Sequence, residues 1–428
     1  MKKLLLTACC IAIFNTACEK KEILPGKRES IEGLNDNLFE TNVKEFSSDI
    51  VSTTQSEVLQ RHVCINGNKS HTAINHKMPL ESKILWKCSI GGYRTNCEPI
   101  VIDDCLYIVN SKGELKCISI SNKSEKWSIA VAKQPDDTVY SGGLTAEGST
   151  IYVTTNTGDV LAIDSQEKKI IWKKSIKHPL RNAPLYINDK LLVLSVTGHV
   201  FALNSSNGNL IWEKETEGEC TILNKSSTPV VVGETIICAY TSGDVKSYEI
   251  NSGHERWNEI LTTTNISESG AAITQIVASP VVTNGNVLIT NSESSMVMLD
   301  ATTGEKVWEN DIYSINTPLV NNGWIYVITP SDNVVCLSSK DGKVKWVTEL
   351  QDINKKKSRI DVEYNGILLI NGKIWIFSNL GNIIKIDPKN GKIIKIETID
   401  GLNTEVNPIV VNNKIFVVNS KAEIYAIG

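Results

Sequence analysis

Eight stretches of one design recur through most of the chain, and they leave few folds open. They begin at Leu106, Ile151, Leu191, Ile236, Val287, Ile325, Ile374 and Ile415, between 38 and 51 residues apart. Each is a β-rich run, a polar turn and a second β-rich run, as in IYVTTNTGDVLAID from Ile151 and LLVLSVTGHVFALN from Leu191. That is the signature of a hairpin. Gly113, Gly158, Gly198, Gly243 and Gly381 stand in these turns, where a left-handed backbone is needed. A short Pro-led strand precedes many hairpins, at Pro184, Pro229, Pro280, Pro318 and Pro408. A turn and a Trp-bearing strand follow many of them, as in NGNLIW and TTGEKVW, placing Trp127, Trp172, Trp212, Trp257, Trp308 and Trp346 at one position. Each unit is therefore four antiparallel strands, and a period of this length predicts a β-propeller.

The count closes on one detail. The eighth repeat reaches Gly428 after only three strands, while an unassigned Trp strand, SKILWKCSI with Trp86, stands ahead of the first repeat. Pairing the two predicts an all-β, eight-bladed propeller over residues 81–428, closed by the strand around Trp86, which removes the open edge. The seventh repeat carries Lys395 where Trp is expected, so its blade is expected to dock less tightly.

The chain opens on Lys2 and Lys3, then an apolar run too short for a bilayer, then small residues before a cysteine. Leu6-Thr7-Ala8-Cys9 fits a lipoprotein box letter by letter but comes too early for an apolar core. Cys18, after Thr16-Ala17, has the full run before it, with Asn15 where Leu is usual. The expectation is a signal peptide over 1–17 and acylation of Cys18. At ~0.8 kcal/mol per buried CH₂, several acyl chains make a stable anchor. Glu19, rather than Asp, leaves the outer membrane as the default, with the protein on its periplasmic side. Residues 18–80 are polar and show no period, so they read as a tether and a poorly ordered lead-in. His71 and His76 are read there as solvated, and removal of 22–60 is expected to leave the ring intact.

Formal net charge is −4, which argues against bulk electrostatic binding of nucleic acid. Eight cysteines follow Cys18 without a CxxC. Cys105 and Cys117 flank one turn, and either a bridge or two small strand hydrophobes fits; the second reading is preferred. The six histidines are scattered, and the chain has no phosphate-binding Gly-Lys loop, nucleophile elbow or zinc-protease helix motif. Catalytic residues, a metal site and a cofactor are therefore not expected. The basic run NKKKSR, residues 354–359, reads as a solvated loop.

Units ending Gly-x-x-x-Trp resemble the pyrroloquinoline-quinone-type propeller repeat over roughly residues 82–428. That class contains quinoprotein dehydrogenases and the BamB lipoprotein family of the outer-membrane β-barrel assembly (Bam) machine. A quinoprotein would need a calcium site, a catalytic carboxylate and commonly an adjacent cysteine pair. The only adjacent pair, Cys9-Cys10, lies in the signal. With its lipobox, polar tether with LPGKR, eight blades and displaced Trp strand, the chain more closely resembles the Bam lipoprotein family. The resemblance implies a non-catalytic scaffold. It would bind the periplasmic domains of the central barrel protein and other Bam components, and assist insertion of outer-membrane proteins. A periplasmic quinoprotein oxidoreductase is the alternative. The seven Trp residues, Trp86 included, are read as docking one blade on the next. The family's binding residues lie in the connections after Trp212 and Trp257. Its Leu-x-Leu-Arg segment aligns with Thr221-Ile222-Leu223-Asn224, and its acidic position falls near Gln275. The implied partner-binding residues are Ile222, Leu223, Asn224, Ile273, Gln275 and Ile276.

Overall fold

In the computed structural model, eight antiparallel sheets are arranged as the blades of one propeller, within the unit Val43–Gly428. The structure describes residues 49–79, 82–133, 142–216, 227–261, 275–350 and 362–428. Blades one to seven span 100–130, 144–175, 185–215, 230–260, 281–310, 319–349 and 364–398. In each, four strands run in chain order from the axis outward, and short turns carry the chain from strand to strand. The first strand of each is three to seven residues long, and the middle strands are almost wholly buried between neighbouring blades.

Blade eight is built from both ends of the propeller sequence. Three strands within 409–427 are completed on the outside by Ile84–Ser89, with Trp86 opposite Ala426 and Cys88 opposite Ile424. Lys83 and Gly428 exchange both backbone hydrogen bonds at 3.0 Å. Trp86 is buried beside Phe416, with ring centroids 6.0 Å apart. The strand supplies the ladder partners that the third strand would otherwise lack.

The Gly-x-x-x-Trp repeat explains how one blade meets the next. The Trp of one blade lies on the Gly of the following blade, and its indole N–H donates to a backbone carbonyl there. Nε1 of Trp172, Trp212, Trp257, Trp308 and Trp346 reaches the carbonyls of Ser205, Ile250, Ala301, Ser339 and Pro388 at 2.8–3.2 Å. At these five seams the facing residue is a left-handed glycine: Gly208, Gly253, Gly304, Gly342 and Gly391 have φ of 68° to 79°, and a Cβ on any of them would fall within 3 Å of the ring. Lys123 and Lys168 hold the equivalent positions with φ of 61° and 56°, ahead of Trp127 and Trp172. Trp127 is half-buried against Tyr107.

Blade seven replaces the missing Trp with a different device. Lys395 faces Lys385 across the ladder, and Lys385 faces Trp375 on the next strand inward. The Lys385 ammonium lies 3.8 Å from the Trp375 ring centroid, 2.9 Å from Glu397 and 3.1 Å from Ser82 Oγ beside blade eight. Trp375 is buried in the cluster shared with Val410, Val417 and Tyr425 of blade eight. A cation–π contact and an ion pair thus stand where an indole stands elsewhere.

The described cysteines are free thiols, and Cys97, Cys117, Cys238 and Cys336 are buried as small hydrophobes. Cys105 and Cys117 form no bridge.

Residues 49–79, read from the sequence as a poorly ordered lead-in, are instead a belt bound to every blade. Thr54 binds blade six, accepting on Oγ1 and donating from its backbone N–H to the Asn321 side chain. Leu59 accepts from Asn412 of blade eight. His62 exchanges hydrogen bonds with Val101 of blade one, and the Val63 carbonyl accepts from Thr145 Oγ1 of blade two. Lys69 lies 5.9 Å from the Tyr186 ring centroid of blade three, and its carbonyl accepts from Val231 of blade four. Ser70 accepts from Val282 of blade five, and Ala73 donates to Val320 of blade six. Asn75–His76 adds a fifth, parallel strand to blade seven. The belt visits the blades in ring order for more than one circuit, and Asn321 holds both Thr54 and Ala73 where it overlaps. Its backbone hydrogen bonds satisfy free edges of the inner strands in blades one, four, five, six and seven. The expectation that His71 and His76 are solvated is corrected, since both are buried. Within 22–60, read from the sequence as carrying no core pattern, 51–60 holds buried Val51 and the first contacts of the belt.

Candidate functional site

Two features of the ring bear on function: the central channel, and the face carrying the inter-blade connections. The channel encloses a cavity of about 550 Å³. Its walls are the residues just before each inner strand, such as Asn96, Gly143, Asn182, Thr228, Thr317 and Val362, and the belt contributes His62, Cys64 and Ile65. Gly143 packs so closely on Ala183 that a Cβ would overlap the Ala183 backbone. Thr154 Oγ1 ties that junction, donating to the Asn182 carbonyl at 2.6 Å.

Charged groups stand in the wall in both signs. Arg94 pairs with Glu405, whose carboxylate is almost wholly buried. Burial pushes the Glu405 carboxyl up from its usual range, and the Arg94 guanidinium opposes that shift. Glu98 accepts from Asn407. Glu363, Asp332 and Arg181 complete the set. Burial lifts the Cys64 thiol to about 11, so it is protonated and unreactive at neutral pH.

Among the described residues, the channel lacks the Trp and the cysteine pair that stack on a quinone. Its described lining contains no Trp and a single cysteine, Cys64. Among the described residues its carboxylates form no group of three within reach of one ion. The repeat tryptophans are committed to the blade seams by their N–H bonds, away from the axis.

The residues implied as partner-binding belong, in the sequence, to the connections that join blades three to four and four to five. Cys18, Ile222, Leu223, Asn224 and Ile273 lie outside the described residues. Gln275 and Ile276 are described, and both are buried. The Gln275 carbonyl accepts from Ser292 in the middle turn of blade five, at 2.8 Å. Ile276 packs with Val230, Ile237 and Val287 in the seam between blades four and five. These two residues anchor the end of the 262–274 connection to the ring. The other connection, 217–226, leaves the ring after buried Thr216 and rejoins it at buried Ser227.

One group of potential metal ligands was not legible in the sequence. His178, His199 and Glu213 bring donor atoms within 4.8 Å of one another, although 35 residues separate the first from the last.

Comparisons with known proteins agree with this geometry. Residues 130–348, just over half of the chain, match the family model for outer membrane protein assembly factor BamB. An uncharacterized protein of Rickettsia conorii is 25% identical over 277 residues, covering 62% of this chain and 66% of that one. The outer membrane protein assembly factor BamB of Escherichia coli K12 is 25% identical over 232 residues, covering 53% of this chain and 59% of that one. The chain spans 54 to 66% of the length of the first curated relatives it matches. Among solved structures, BamB from Moraxella catarrhalis superposes with a TM-score of 0.68 at 16% identity, over 81% of this chain and 99% of that one. A europium-containing methanol dehydrogenase superposes with a TM-score of 0.66 at 14% identity, over 86% of this chain and 98% of that one. At such identities these superpositions show the eight-bladed fold alone.

Proposed function

Because the chain belongs to the family of outer membrane protein assembly factor BamB, we propose that it is a non-catalytic scaffold of the machinery that assembles outer-membrane proteins. In this reading a lipid on Cys18 holds it at the periplasmic side of the outer membrane. The connections 217–226 and 262–274 dock on the periplasmic domains of the central barrel protein. The observation that carries the reading is the extent of the family match: 130–348 contains both connections and the blades that hold them.

The docking contact is apolar at its centre, through Ile222, Leu223 and Ile273, with Asn224 beside them. Gln275 and Ile276 serve it from below, because their side chains are buried and hold the second connection to blades four and five. A rigid, edge-free ring suits this task, since connections held at both ends lose little entropy on binding.

The test is affinity capture of the full chain from detergent-solubilised outer membranes. The central barrel protein and other assembly components should come down with it. Their absence, with an unrelated set of partners in their place, would remove the scaffold reading. The alternative, a periplasmic quinoprotein oxidoreductase, is favoured only by the shared fold. Purified protein given quinone and calcium should reduce no dye with alcohols or sugars, and turnover would revive that alternative.

A further inference from the structure

His178, His199 and Glu213 reach one point from three separate segments. His178 lies in the connection from blade two to blade three. His199 opens the third strand of blade three, His199–Asn204, and Glu213 lies on its outermost strand, Leu210–Glu215. Pairing of Phe201 with Glu213 and of His199 with Glu215 puts all four side chains on one side of the blade. That side faces blade two, where Phe201 packs with Tyr152 and Val160.

The two imidazoles are 4.0 Å apart between ring centroids. Phe201 backs both, at 5.6 Å from His178 and 5.8 Å from His199. Thr197 Oγ1 lies 2.8 Å from Nδ1 of His178, and Ser195 Oγ lies 3.0 Å from Thr197 Oγ1. This hydroxyl chain fixes the ring and leaves Nε2 as the ligand atom. Such an orienting partner is what metal-bound histidines require. His199 stands between two carboxylates, with Nδ1 3.1 Å from Glu213 and Nε2 3.5 Å from Glu215.

We propose that His178, His199 and Glu213 form a binding site for a divalent transition metal of the zinc class at the seam of blades two and three. Two nitrogens and one carboxylate suit Zn²⁺, and also Cu²⁺ or Ni²⁺, whereas Ca²⁺ and Mg²⁺ prefer all-oxygen shells. The donors are within 4.8 Å of one another, and the Glu213 carboxylate already lies 3.1 Å from His199 Nδ1. A fourth position remains for water or for a group from a partner. A dication would also bind together the inter-blade connection and both outer strands of blade three, at the root of the 217–226 connection.

The test is calorimetric titration of the purified full chain with Zn²⁺ near neutral pH. One saturable site is expected, with no comparable site for Mg²⁺ or Ca²⁺. His178→Gln and His199→Gln should each weaken it by about tenfold or more, and His254→Gln, at an exposed histidine elsewhere, should leave it unchanged. Co²⁺ bound at this site should show no sulfur-to-metal charge-transfer band, which separates it from cysteine binding. Melting curves of the variants without metal should match that of the parent protein, and only the parent and His254→Gln should gain stability from Zn²⁺. The absence of saturable binding would overturn the proposal. So would binding that survives both His178→Gln and His199→Gln, or a cysteine signature in the Co²⁺ spectrum.

Discussion

The indole of Trp257 lies flat against the backbone of Gly304, in the next blade of the ring. A Cβ on Gly304 would stand 2.8 Å from the ring carbons, and φ there is 79°. Nε1 of Trp257 donates to the Ala301 carbonyl at 3.2 Å, three residues earlier in the same turn. At five seams the repeat thus carries its own docking rule, in which the Trp of one blade is received by the Gly of the next. Gly304→Ala is expected to cost about 2 kcal/mol or more, through left-handed strain and overpacking. Trp257→Ala is expected to cost about 3–5 kcal/mol. Urea denaturation reads both, and a Gly304→Ala midpoint equal to the parent's would contradict the docking rule.

Ring closure rests on Ile84–Ser89, which pairs with the last strand from Ile84 opposite Ile427 to Ser89 opposite Glu423. Deleting 82–90 should expose that strand's edge and produce aggregation or a marked fall in melting temperature. Equal melting of the deletion and the full chain would count against closure by this strand.

The belt should respond to acid. Burial holds His62 at about 3 and His71 and His76 at about 4, below the usual histidine value. Nδ1 of His62, Nε2 of His71 and Nδ1 of His76 find no hydrogen-bond partner among the described residues. With folded pKa values depressed, the unfolded chain binds more protons below about pH 6.5. Stability is therefore fully present above that value. It falls by about 1.4 kcal/mol per pH unit for each histidine until its folded value is reached. Between about pH 6.5 and about pH 4, the belt should lose hydrogen-exchange protection before the blades do. Unchanged protection of the backbone from 59 to 76 at about pH 5 would show that these histidines do not govern it.

Asn321 is the buckle of the belt, donating to Thr54 Oγ1 at 3.0 Å and to the Ala73 carbonyl at 2.9 Å while accepting from the Thr54 N–H. Asn321→Ala leaves buried polar groups unpaired and should cost about 1–3 kcal/mol. Limited proteolysis between residues 49 and 79 should quicken while the blades stay resistant. Equal cleavage rates would remove the buckle role.

The blades were legible in the sequence because their signals are periodic. LLVLSVTGHVFALN covers the strand Lys190–Leu194 from its second residue and the whole of His199–Asn204, and the orphan Trp86 strand falls into blade eight. The belt was not legible, because its binding runs through backbone groups and single polar side chains such as Thr54, Asn75 and His71, which leave no hydrophobic period. The blade-seven exchange was half legible: Lys395 marked the missing indole, but Trp375 and Lys385 read as ordinary strand residues. The His178–His199–Glu213 group was hidden for a topological reason. A hairpin and a connection bring it together, and no local spacing records that. Of the residues implied as partner-binding, Gln275 and Ile276 stand in a polar connection, yet they close onto the ring where it rejoins blade five.

The scaffold reading stands or falls on one binding experiment. The purified full chain is titrated against the periplasmic domains of the central barrel protein, alongside Leu223→Glu and Ile273→Glu variants with unchanged circular dichroism. Saturable binding by the parent is expected, weakened by about thirtyfold or more in each variant, as truncation of an interface hot spot does. No binding by the parent, or equal binding by parent and both variants, would contradict docking through these connections.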